Sequence, residues 1–149
     1  MVCSGNTCRS PLAEALLRRA LADSGPDGIA VESAGTGALA GSPASEGAYL
    51  VALEAGLDLS GHRARLLSRE LVGEADLILA MSAGHLRRVQ ALGGAGKAAL
   101  LADYAGESGD IADPFGGDVA EYRETLRQLD RLVDGVRARL AGSRGGSAP

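Results

Sequence analysis

Tryptophan is absent from this 149-residue chain and phenylalanine occurs once, so Phe115 and the three tyrosines Tyr49, Tyr104 and Tyr122 are its whole aromatic complement. Four rings cannot line a stacking platform for bases, and the formal charge is -4 with no basic stripe beyond Arg87-Arg88 and the Arg63/Arg65/Arg69 run. Nucleic acid is therefore not an expected partner. Cysteine is also scarce: Cys3 and Cys8 are too few and too close for the disulfide framework of a secreted scaffold, which makes a reducing cytoplasm the expected location. Met1-Val2-Cys3-Ser4-Gly5 is no signal peptide, and no apolar run approaches the ~18 residues of a membrane span. Neither export nor a membrane is expected. Lys97 is the single lysine against 14 arginines, a compositional bias to which no function attaches.

What remains is ordinary for a globular protein, 46% apolar and 23% charged, and the length suits one domain, expected over residues 1–141. Pro11 to Ala22 places Leu12, Leu16 and Ala20 on one helical face, with Ser10 as the expected N-cap and Pro11 at the first helical position. A β-branched segment, Ile29 to Glu32, predicts a strand, and Ser33 to Gly37 a loop. Helices are predicted over Ala44–Glu54, Ser68–Val72, Ala83–Leu92 and Val119–Leu140, with a buried strand at Leu77–Met81 and a weaker one at Ala98–Leu101. The tail from Gly142 to Pro149 has little to bury and is expected to be disordered. Alternating short strands and helices specify an α/β domain, a parallel sheet covered on both faces.

The densest chemical signal is Cys3-Ser4-Gly5-Asn6-Thr7-Cys8-Arg9-Ser10-Pro11, a glycine-containing loop running into a helix N-terminus. Backbone N–H groups curled round such a loop, with the positive end of the helix dipole, suit a tetrahedral oxyanion. That potential lowers a thiol pKa and makes Cys3 a candidate nucleophile, while the planar fork of Arg9 can clamp two phosphoryl oxygens. Two structural cysteines beside a helix cap would be the bland alternative. Zinc is not implied, because two cysteines five apart and two histidines, His62 and His85, do not supply its ligand spacing. No metal or other cofactor is called for. Gly93-Gly94-Ala95-Gly96-Lys97 lacks the spacing and the Ser or Thr of a nucleotide-binding loop.

The loop resembles the C-x-G-N-x-C-R-S-P phosphate loop of the low molecular weight protein phosphatases. Ser33-Ala34-Gly35-Thr36, Ser60-Gly61-His62-Arg63-Ala64-Arg65, Ala75 to Met81 and Asp113-Pro114-Phe115-Gly116-Gly117 extend the resemblance over nearly the whole chain, in family order. It implies a flavodoxin-like three-layer sandwich with a roughly four-stranded parallel sheet. It also implies Cys3 as nucleophile, Arg9 as phosphoryl clamp and Asp113 as general acid, with Ser4, Gly5, Asn6, Thr7, Cys8 and Ser10 forming the phosphate-binding loop. Ser10 would donate to the Cys3 thiolate, and Ser33 and His62 would support the loop through Asn6. Cys8 would form a reversible disulfide with Cys3 under oxidation. His85, in a helical segment, is assigned no function. Only Met1 and Val2 precede Cys3 where the family has a full apolar strand, so the first strand is expected to be truncated.

Substrate choice turns on the pocket, expected at Thr7, Leu39 and Phe115. A phosphotyrosine ring is normally sandwiched between large side chains, and here Phe115 is the only aromatic placed near the acid by motif. Thr7 and the Asp-Pro-Phe-Gly-Gly string resemble the protein-arginine-phosphatase branch, so protein phosphoarginine is the favoured substrate and phosphotyrosine the alternative. A thioredoxin-coupled arsenate reductase would need relay cysteines beyond Cys8, and a phosphocysteine carrier would not need Arg9 with Asp113. The expected partner is a phosphorylated protein, met by a monomer.

Overall fold

The computed structural model describes residues 1–145. Its sheet has four parallel strands, β1 (Val2–Cys3), β2 (Ala34–Gly35), β3 (Ile78–Ala80) and β4 (Ala98–Leu100), in the order β2-β1-β3-β4. This is the doubly wound arrangement that the alternation of elements implied, with the order reversing beside β1. Among the described residues there are six α-helices, α1 (Arg9–Ser24), α2 (Glu46–Glu54), α3 (Arg69–Glu74), α4 (Ala83–Val89), α5 (Leu101–Tyr104) and α6 (Val119–Gly145), and a π-helical segment, Gln90–Gly94, that follows α4.

Alternation along each strand sends side chains to two separate cores. Cys3 and Leu79 join Leu12, Leu16, Val51, Leu129 and Val133 under α1, α2 and α6, while Val2 and Ile78 join Leu67, Val72 and Val89 under α3 and α4. The sequence places Tyr122, Leu126, Leu129, Val133 and Val136 of α6 at 3- and 4-residue steps; all are buried except Leu126, which is partly buried, and Leu132 joins them.

Strand β2 lies inside the expected Ser33–Gly37 loop, α5 was not expected, and the helix expected over Ala83–Leu92 ends as α4 at Val89; three further departures bear on the site and the sheet. The predicted strand Ile29–Glu32 is not in a ladder: β1 is two residues long, and pairing begins with Val2 opposite Ala34. The carbonyls of Val31, Glu32 and Ser33 are satisfied by other groups: Arg18 donates to Val31 O at 2.9 and 2.6 Å, the Met1 ammonium to Glu32 O at 3.0 Å, and Arg65 to Ser33 O at 3.1 Å. Beside them lies a cavity of about 650 Å³ whose other wall is residues 75–79. Helix α1 starts at Arg9, two residues before the expected position, with Cys8 as an N-cap that makes no side-chain capping bond. Helix α6 continues to Gly145, so residues 142–145 are helical where disorder was expected, and the rest of the expected tail, 146–149, lies outside the described residues.

Candidate active site

Chain direction at the carboxyl end of β1 is reversed by Ser4 to Cys8, and the tightest point is Asn6, at φ 56 the only non-glycine residue with positive φ among the described residues. Asparagine tolerates this conformation better than most residues, and its partners hold it there. Asn6 Nδ2 donates to Ser33 Oγ and to Ser10 Oγ, both at 2.9 Å; its Oδ1 accepts from the Arg65 amide at 2.9 Å; its carbonyl accepts from His62 Nε2 at 2.6 Å. The next residue is held too, Thr7 O accepting the Ser45 amide at 2.9 Å. Glycine is required at 35, since a Cβ there would collide with the carbonyl oxygen of Ser4.

Ser10 sits inside the first turn of α1 and does not cap it. Its hydroxyl oxygen accepts from Asn6 and lies 2.9 Å from Cys3 Sγ, so its hydrogen is available to the sulfur. The O–H is thereby aimed at a buried sulfur. The amides of an uncapped first turn need an acceptor, and an anion at the loop meets that need.

Arg9 is buried and donates from Nη1 to Ile111 O at 2.8 Å, while Nη2 lies 3.5 Å from Asp113 Oδ2. Its Nε is buried with no partner among the described residues, a charged donor short of an acceptor. The Asp113 carboxylate is about half exposed (49%), and its Oδ1 accepts from the Phe115 amide at 3.0 Å, the turn that fixes its direction. Cys3, Ser4, Gly5, Thr7, Cys8, Arg9, Asp113, Leu39 and Phe115 thus line one pocket of about 320 Å³, with Ser42 and Gly37, which sequence reasoning missed. Leu39 and Phe115 stand at its rim, 79% and 72% exposed. Ser33 and His62 lie outside it, behind Asn6.

Ser45, Tyr122 and His85 were also missed. Cys8 Sγ lies 3.1 Å from Ser45 Oγ and 3.5 Å from the Tyr122 hydroxyl, which ties the loop to α2 and α6. His85, assigned no function from sequence, is buried against the loop with Nε2 2.7 Å from Ser4 Oγ. A Ser-x-x-His cap was visible at Ser82, but nothing local ties position 85 to position 4.

The model of the low molecular weight phosphotyrosine protein phosphatases matches residues 1–144. The chain belongs to this family. The phosphatase is 41% identical over 134 residues to a probable low molecular weight protein-tyrosine-phosphatase, EpsP, of Ralstonia nicotianae, covering 90% of this chain and 89% of the relative. It superposes with a TM-score of 0.90 on the YwlE arginine phosphatase from Geobacillus stearothermophilus, at 36% identity, over 99% of this chain and 95% of that one. A further solved structure, a cysteine-to-serine variant of a YwlE arginine phosphatase with a phosphorylated active-site serine, gives 35% identity, a TM-score of 0.90 and coverage of 97% and 95%. The phosphatase is thus a hydrolase of phosphorylated protein that works through a cysteine. Among its described residues no helix is long and apolar enough to cross a membrane.

Proposed function

We propose that the phosphatase removes the phosphoryl group from protein phosphoarginine, and the composition of its pocket carries this reading. One aromatic residue, Phe115, lines the pocket, and the other large apolar residue at its rim is aliphatic Leu39. A phenyl ring between them would lack the pair of flat faces that stabilises a buried ring by more than area alone. Thr7 adds a branched hydroxyl-bearing side chain to the pocket wall. A guanidinium group, planar and rich in N–H donors, finds the carboxyl group of Asp113 as a hydrogen-bonding partner.

In this reading Cys3 Sγ attacks phosphorus as the P–N bond breaks, and Asp113 gives its proton to the departing guanidine nitrogen. Arg9 and the loop amides bind the equatorial oxygens, on which charge is spread. Asp113, now a carboxylate, takes a proton from water; the resulting oxygen nucleophile attacks phosphorus, and the P–S bond breaks to return the Cys3 thiolate and inorganic phosphate. Ser10 supports that thiolate, and Ser33 and His62 act through Asn6. Cys8 is read as the partner that traps oxidised Cys3 in a reversible disulfide. A chain with two cysteines and a net charge of -4 is read as a cytoplasmic monomer acting on phosphoprotein rather than nucleic acid.

The test compares kcat/KM for phosphoarginine and phosphotyrosine peptides in the wild type and in Thr7→Ile. A wild-type preference for phosphoarginine that shifts toward phosphotyrosine in Thr7→Ile is expected. Preference for phosphotyrosine, unmoved by the substitution, would make tyrosine the substrate. Cys3→Ser should fold with an unchanged Tm and lose turnover of an aryl phosphate by at least ~1,000-fold, as removal of a covalent nucleophile does.

A further inference from the structure

His85 makes contacts on both sides of its ring, and the mechanism above uses neither. Ser82 is the N-cap of α4, its Oγ accepting the His85 amide at 3.4 Å. The same Oγ lies 2.9 Å from His85 Nδ1. With the oxygen engaged by the backbone, the Ser82 hydrogen is the one to fill the Nδ1 contact. That leaves the ring hydrogen on Nε2, which then donates to Ser4 Oγ across 2.7 Å. Ser4 Oγ becomes the acceptor in that bond, and its own hydrogen is released toward the pocket it lines.

The surroundings suit a neutral ring, which the arrangement requires, since an imidazolium cannot accept from Ser82. Burial, and next the guanidinium of Arg9, hold the His85 pKa below its ordinary value against the opposing carboxylates of Asp110 and Asp113. Asp110 also holds the start of α4, accepting the Ala83 amide at 3.0 Å.

We propose that Ser82, His85 and Ser4 form a hydroxyl–imidazole–hydroxyl relay that supplies the phosphate pocket with an O–H donor, the Ser4 hydroxyl, in addition to Arg9 and the loop amides. Ser4 touches the phosphoryl group; His85 and Ser82 are positioning residues that act through it. The relay rests on the reading of this pocket as a phosphate site and is independent of which phosphoamino acid is the substrate.

Inorganic phosphate is the probe, its Kd measured by titration calorimetry on wild type, Ser4→Ala, His85→Leu, His85→Gln and the double variant Ser4→Ala/His85→Leu. Ser4→Ala is expected to weaken phosphate about ten-fold, the worth of one hydrogen bond to a charged group. His85→Leu should weaken it to a similar extent, the double variant no further than either single, and His85→Gln, whose amide can still donate to Ser4, should recover most of the affinity. Ser4→Ala changes an exposed side chain and keeps the test valid if His85→Leu unfolds. Unchanged phosphate affinity in Ser4→Ala overturns the relay, as do losses that multiply in the double variant. Wild-type protein that binds phosphate but turns over no aryl phosphate would instead sink the enzymatic reading and leave the relay standing.

Discussion

Asn6 shows how a single side chain stands in for a local preference that the backbone lacks. Its left-handed conformation (φ 56) is opposed by the Cβ, and three side-chain bonds to Ser10, Ser33 and the Arg65 amide hold it there. Asn6→Gly separates the two effects, because glycine accepts the conformation but makes none of the bonds. At a net value of about 1 kcal/mol per bond, a stability loss of about 2–3 kcal/mol is expected in a urea titration, together with a fall in kcat/KM larger than that of a surface substitution. Equal stability of Asn6→Gly and wild type would show that the conformation alone sustains the loop. His85 adds a pH dependence of definite sign. Its pKa is lowered in the fold, so the unfolded chain takes the proton first as pH falls; its contribution is present above the ordinary histidine value of about 6.5 and is lost below it. The urea midpoint of wild type should therefore drop more between pH 7.5 and 5.5 than that of His85→Gln, and parallel curves would contradict this.

At the scale of elements, the loop is held by helices it does not belong to. The amide of Ser45, the N-cap of α2, donates to Thr7 O, and the Ser45 hydroxyl shares the Cys8 thiol with Tyr122 of α6. Gly47, in the first turn of α2, lies so close to Tyr122 that a Cβ would enter the ring. Small size, not backbone freedom, is what this position needs. Gly47→Ala should push α2 from α6, with a cost of about 1–3 kcal/mol, the usual range for overpacking, and should carry Ser45 away from Thr7. Loss of activity beyond the unfolded fraction is expected in assays well below the Tm. A fully stable, fully active Gly47→Ala would mean that the α2–α6 contact does not set the loop.

For the whole molecule, the notable feature is a sheet whose central strand is two residues long. Val2 faces Ala34 on one side and Ala80 on the other, so each residue added before Met1 would face one residue earlier in both flanking segments. The cavity of about 650 Å³ follows that line, between residues 28–34 and 75–79, with Leu17, Val136 and Leu140 among its walls. A protein bearing four apolar residues before Met1 is expected to bury them there, each at about 1.5–3 kcal/mol, less the entropy of ordering them. Differential scanning calorimetry should record a Tm higher by several degrees; an unchanged Tm would show that the cavity does not accept a strand.

Local spacing was enough to place the phosphate loop, the helix after it, the long stripe of α6 and the parallel α/β class, because each rests on residues a few positions apart or on a repeating period. Resemblance to a family, not spacing, added Ser33, His62 and Asp113. The strand expected at Ile29–Glu32 has the right composition, yet a ladder needs a partner, and pairing with β1 begins only at Ala34. Ser10 reads as an N-cap from its neighbours, but Asn6 and Cys3 claim its hydroxyl once the loop is closed. Short-range chemistry in the sequence thus determined what the site is made of. Tertiary structure alone decided which groups support it: Ser4 and His85 are 81 residues apart, and a hydrogen bond over that distance leaves no period, motif or composition to read.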